Sequence, residues 1–82
     1  MISKQFEVKQ KEEAKAMGIG SEWICHTKYV TYKTQQQVTV VNLFKGDTPY
    51  QGIAICSMKD QFSRRTGRVI ARGRAMKKAR NA

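Results

Sequence analysis

From Gln61 to Ala82 the chain carries no acidic side chain, and over its whole length it has one histidine, one proline and two cysteines. Each scarcity removes a class of function. With His26 alone and no C-x-x-C pair, the patterns that hold structural zinc are missing. Cys25 and His26 are neighbours on a predicted strand, where adjacent side chains point to opposite faces, so they do not share an ion. No pattern places Ser57, Cys56 or an acid beside His26 as a nucleophile triad requires. Gly18-Ile19-Gly20-Ser21 lacks the G-K-[ST] ending of a phosphate loop. No run approaches the ~18 apolar residues of a membrane span, and the N-terminal MISKQFEVKQ has no signal-peptide core. The expectation is a cytoplasmic, non-enzymatic protein without metal or cofactor, not bound to membrane, with both thiols reduced.

What the chain has in excess is positive charge. Lys and Arg number 16 against 6 Asp and Glu, a net charge of +10 on 82 residues, which form a single domain, 1–82. The segment after Asp60 contributes Arg64, Arg65, Arg68, Arg72, Arg74, Lys77, Lys78 and Arg80. A field concentrated at one end draws in anionic partners. Nucleic acid is the commonest; an acidic protein surface feels the same field. With 40 % apolar residues the core is thin, and a deep catalytic pocket would consume it.

Local patterns predict an α+β fold: an antiparallel sheet of three or four strands with the basic C-terminal helix on one face. Phe6 and Val8 alternate with polar neighbours as in a short strand, and QKEEAKAM reads as a two-turn helix stopped by Gly18 and Gly20. Glu22 to Lys33 is rich in aromatic and β-branched residues. Large groups on both faces suggest a bulge, with Trp23 and Tyr29 in core or hairpin packing. Thr34-Gln35-Gln36-Gln37 is predicted as a turn, Val38 to Phe44 as a strand, Lys45 to Pro49 as a turn and Gln51 to Cys56 as a strand. Short connections favour a meander.

Ser57 with Asp60 three residues on reads as a helix N-cap, and the helix runs from there to about Lys78. On a helical wheel centred on Phe62, Thr66, Val69, Ile70, Gly73 and Met76 fall within about 80° of Phe62 and form one stripe facing the sheet. Arg64, Arg68, Arg74 and Lys78 fall on the opposite side, with Gly67, Ala71 and Ala75 among them and Arg65 and Arg72 on a flank. Arginine forks match phosphate and carboxylate oxygens, and the segment holds six arginines to two lysines. Arg64, Arg65, Arg68, Arg72, Arg74, Lys77 and Lys78 are therefore the candidate contacts to nucleic acid or an acidic partner. Tyr32 and Tyr50, close to turns, are the candidate stacking or apolar anchors.

From Tyr50 onward the chain resembles the C-terminal half of small proteins encoded by bacteriophages and prophages. In those, a G-x-A-x-C-like strand leads into D-x-F-x-R-x-x-G-R-x-I-A-x-G-R-A. The matching positions are Gly52, Ala54, Cys56, Asp60, Phe62, Arg64, Gly67, Arg68, Ile70, Ala71, Gly73, Arg74 and Ala75. The resemblance covers about a third of the chain and implies a phage accessory protein acting in a bacterial host cell. Two functions are open at this point: binding nucleic acid through the arginine-rich helix, or inhibiting a host defence or nucleic-acid-processing protein (anti-CRISPR-like or another host-takeover factor) by docking on its acidic or nucleic-acid-binding groove. A thin core and open sheet edges leave room for a homodimer.

Overall fold

The computed structural model describes residues 3–56 and 63–82. Two helices lie on one face of a three-stranded antiparallel sheet, an α+β architecture: α1 (Lys4–Ala16), β1 (Ser21–Val30), β2 (Gln35–Lys45), β3 (Thr48–Cys56) and α2 (Arg64–Arg80). No helix among the described residues is long and apolar enough to cross a membrane.

The N-terminal segment is one helix, where the sequence pattern suggested a strand first. Ser3 caps it, its Oγ accepting from the Phe6 N–H at 3.1 Å, and only Val8 in KQFEVKQKEEAKA is β-branched. Two residues of alternation weigh less than thirteen of helix formers, and Phe6 and Val8 end up exposed. The helix stops in a Schellman motif. The Gly18 N–H donates to the Lys15 carbonyl and the Ile19 N–H to the Ala14 carbonyl, with Gly18 at φ 94° and Ile19 folded onto the core.

β1 and β2 pair without slippage from Ser21↔Phe44 to Val30↔Gln35, so the expected bulge is absent. Large groups occur on both faces because one face stays outside the core, not because the register shifts. The tract expected as a turn, Gln35-Gln36-Gln37, is the first stretch of β2. The turn lies earlier, where Thr31 and Thr34 hold it through an N–H···O=C bond of 2.8 Å and an Oγ1···Oγ1 contact of 2.8 Å. Between β2 and β3 the pairing Lys45↔Thr48 leaves a two-residue loop, Gly46-Asp47. Gly46 has φ 63° at its first position, as a primed hairpin turn requires.

Strand alternation puts Glu22, Ile24 and His26 of β1, Thr39, Val41 and Leu43 of β2, and Tyr50, Gly52 and Ala54 of β3 on the helix-bearing face. α2 crosses β2 and β3 there, and α1 lies beside α2. The predicted cap at Ser57, with Asp60 and Phe62, lies outside the described residues. The described helix is capped by Ser63, whose Oγ accepts from the Thr66 N–H at 3.3 Å.

α2 is rotated about its axis relative to the wheel expectation. Gly67, Ala71, Ala75 and Ala79, spaced by four, are buried, while Ile70 is 40 % exposed. Small residues win this face because the helix comes into backbone contact with β3. A Cβ at Gly52 would stand 1.8 Å from the Ala71 carbonyl oxygen and 2.6 Å from the Ala75 nitrogen. Val69 and Met76 lie at the side of that seam and are buried.

Gly52→Ala is therefore expected to destabilise the fold by about 3 kcal/mol or more, because backbone and not a mobile side chain must yield. Gly20→Ala, with no atom within 4 Å of the added Cβ, should change stability by less than about 0.5 kcal/mol. Urea unfolding of the two variants makes the comparison, and equal midpoints would contradict the close approach.

Candidate functional site

Two of the candidate arginines point inward. Arg72 is 1 % exposed, although the wheel placed it on a flank. Its Nε donates to Glu22 Oε1 at 2.6 Å, and its Nη1 donates to Gln10 Oε1 at 2.9 Å and to Glu7 Oε2 at 3.2 Å. Arg68, expected on the outer face, grips Glu7 with a two-pronged contact, Nε to Oε2 at 2.8 Å and Nη2 to Oε1 at 3.2 Å. Gln10 completes the cluster by donating its Nε2–H to the Val69 carbonyl at 2.8 Å. Arg68 and Arg72 thus hold the protein together, and neither is a free contact for a partner.

The three acceptors were not among the candidate residues. Glu7 and Gln10 sit three apart on α1 and share its buried side, and Glu22 opens β1. The signal that could have found them is scarcity. A chain with six acids and a cationic end buries an arginine only where acids converge. The cluster also shifts titration. Arg68 hydrogen-bonded to Glu7 holds that carboxyl down at about 2, against the opposing effect of burial, with Arg72 adding to the depression. The same bond raises Arg68 above the ordinary guanidinium range.

His26 is part-buried on the helix-bearing face, its Nδ1 3.0 Å from Thr39 Oγ1. Burial, then the charges of Arg64 and Arg68, lower its pKa, so it favours the neutral form. Cys25 falls on the opposite face of the same strand.

The remaining candidate cations face outward. Arg74, Lys77 and Lys78 are exposed and line a shallow groove of about 590 Å³, walled by Gly52 and Ile53 of β3 and closed by Asn81. Arg74 Nη1 donates to the Ile53 carbonyl, which fixes the guanidinium beside the sheet edge. Among the described residues no carboxylate lines this groove. Arg64 and Arg65 are exposed in the first turn of α2, which has no acidic residue to complement the positive end of the helix dipole. Among the described residues none of these five cations is in an ion pair, whereas exposed Arg80 lies 3.6 Å from Glu13. Tyr32 is 93 % exposed at the β1–β2 turn with the Lys33 ammonium 5.3 Å from its ring centroid. Tyr50 instead is half-buried against the core, because its strand position points it beneath the helices. Trp23 and Tyr29, expected in packing, are 52 % and 61 % exposed.

The inward arginines carry a sharp pair of expectations. Arg72→Ala leaves Glu22 without its arginine and Glu7 with Arg68 alone, and should cost about 3 kcal/mol, the low end for breaking a buried ion pair; Lys77→Ala should stay within about 0.5 kcal/mol. Because the folded-state pKa of Glu7 lies below its unfolded value of 4.5, its contribution is complete above that pH and is lost as pH falls toward 2. The span amounts to about 3 kcal/mol. Stability measured from pH 6 to pH 2 should therefore fall less steeply in Glu7→Gln than in the wild type. Parallel curves would mean that the Glu7 carboxyl does not carry the acid sensitivity.

No protein-family model matches the chain, and no curated protein or solved structure matches it.

Proposed function

We propose that the protein binds the phosphate backbone of nucleic acid through the outward cations of α2, with Arg74, Lys77 and Lys78 in the β3–α2 groove as the centre of the contact. The observation that carries this reading is a groove flanked by three exposed cations and lined, among the described residues, by no carboxylate, in a protein where Glu7 and Glu22 are taken up by Arg68 and Arg72. Arg64 and Arg65 extend the positive surface to the other end of the helix, about 20 Å away at 1.5 Å per residue. Their place in the first turn of α2, which itself holds no acidic residue, favours an anion there.

The cations are mounted on a helix packed backbone-to-backbone against a sheet, so the backbone that spaces them is fixed while the lysine side chains stay free to adapt. Nothing in it presents paired donors and acceptors for base edges. The contact expected is to sugar–phosphate backbone, largely blind to sequence and sensitive to salt. Tyr32, at the far hairpin, is an exposed ring that a single-stranded base can stack upon. The resemblance to phage proteins accommodates the same surface as an inhibitor seated in a host protein's nucleic-acid channel, which uses the same five cations.

Fluorescence anisotropy with short duplex DNA, single-stranded DNA and RNA over about 50–200 mM salt tests the reading. Five phosphate contacts give a slope near −4.5 in log K against log salt for a duplex. Lys77→Ala/Lys78→Ala, both exposed and unpaired, should flatten it by about 1.8 and leave the melting temperature unchanged. Absence of binding at 50 mM salt, or an unchanged slope in the double variant, overturns the proposal. A stoichiometric protein captured from nuclease-treated bacterial lysate would then identify the inhibitor role.

A further inference from the structure

The sheet face turned away from the helices is uncharged. Every ionic side chain within the three strands, Glu22, Lys28 and Lys45, has the parity of the helix-bearing face. The opposite face presents Trp23 and Tyr29 from β1, Val40 and Phe44 from β2, and Ile53 and Ile55 from β3. Trp23, Tyr29 and Ile55 are each more than half exposed, and among the described residues no helix covers this surface. In a chain with 22 ionic residues, a continuous neutral face of this extent is a contact surface.

We infer that this face is covered by a second copy of the same chain, giving a face-to-face β-sandwich dimer. Charge selects the occupant. Among the described strand residues a nucleic acid or an acidic protein finds no cation here. A +10 chain meets its own copy without strong repulsion only across a neutral surface. The geometry keeps the fields apart, because α2 lies on the far side of each sheet. Two sheets about 10 Å apart, each backed by a helix layer about 10 Å thick, leave the α2 helices roughly 30 Å apart, several Debye lengths at physiological salt. Three strands of about ten residues measure roughly 33 by 14 Å, so two copies face each other over roughly 900 Å² of flat projected area before side-chain relief is added, close to the ~1,000 Å² a biological interface clears and in the range of a weak, concentration-dependent dimer. Side-by-side extension through β3 is opposed by Arg74, whose guanidinium already occupies the Ile53 carbonyl on that edge. Pairing through the other edge strand, β1, would leave Trp23, Tyr29 and Ile55 in water, whereas face-to-face packing, isologous about a two-fold axis, covers all three.

Sedimentation equilibrium of the whole chain, without nucleic acid, tests this from about 1 to 100 µM. The expected mass is twice 9.4 kDa at the upper end. Trp23, the only tryptophan, gives a second readout: its emission should shift to the blue as concentration rises and the dimer covers it. Ile55→Glu, at a position 59 % exposed and therefore tolerant of a polar group in the monomer, should weaken association roughly a hundredfold and abolish the shift while leaving the circular-dichroism melt of dilute protein unchanged. A 9.4 kDa species throughout with water-exposed Trp23 emission overturns the inference. A dimer that survives Ile55→Glu with no change at Trp23 overturns it equally, since another surface would then be responsible. Neither outcome depends on whether nucleic acid binds.

Discussion

A guanidinium with 1 % of its surface exposed must be neutralised where it sits, and the position of almost everything else in this protein follows from how that is done for Arg72. Glu22 at the start of β1 and Glu7 on α1 approach it from two sides, and Gln10 adds a neutral acceptor. Three elements distant in sequence are thereby locked around one side chain. α1 has nowhere else to go, since its contacts to the rest of the molecule run through α2. The rotation of α2 is fixed by the same requirement together with the Gly52 seam. Turning the helix to bury Ile70 would pull Arg72 from its acids and drive larger side chains into the backbone of β3.

That arrangement sorts the cations by role. Two arginines are consumed internally by acids from the N-terminal part of the chain, and Arg80 stands beside Glu13. The acid-free stretch of sequence therefore does not become an acid-free surface everywhere. Among the described residues it does so in the first turn of α2 and along the groove at its C-terminal half, where Arg74, Lys77 and Lys78 remain outward. Net charge overstates the field available to a partner, and only the folded structure shows which charges are left.

The three strands and the meander are legible in the sequence because β-branched and aromatic runs alternate with turn residues over short spans, and such signals are local. The helix at the C-terminus is legible for the same reason. Its rotation is not. A wheel ranks faces by hydrophobicity, and here a glycine in β3 makes alanine the fitting neighbour while acids 50 to 65 residues away make an arginine the buried one. Trp23 and Tyr29 mislead in the same way: apolar rings are expected inside, but their strand parity places them on the face without helices. Of the candidate cations, Arg64, Arg65, Arg74, Lys77 and Lys78 lie where the charge pattern suggested, whereas Arg68 and Arg72 require knowledge of Glu7 and Glu22.

The two hairpins close over a four-residue turn and a two-residue loop, so every strand pairing is local, none linking residues further apart than Ser21 and Phe44. The ionic cluster joins residues 50 to 65 apart, nearly the whole chain. Loop-closure entropy separates these events in order. The meander is quick to assemble, and the clasp between the two ends of the chain comes late. Interactions made after the barrier govern how long a native molecule persists and not how fast it forms. The Glu7–Arg72–Glu22 clasp is accordingly expected to govern the lifetime of the folded protein, and the sheet its speed of folding.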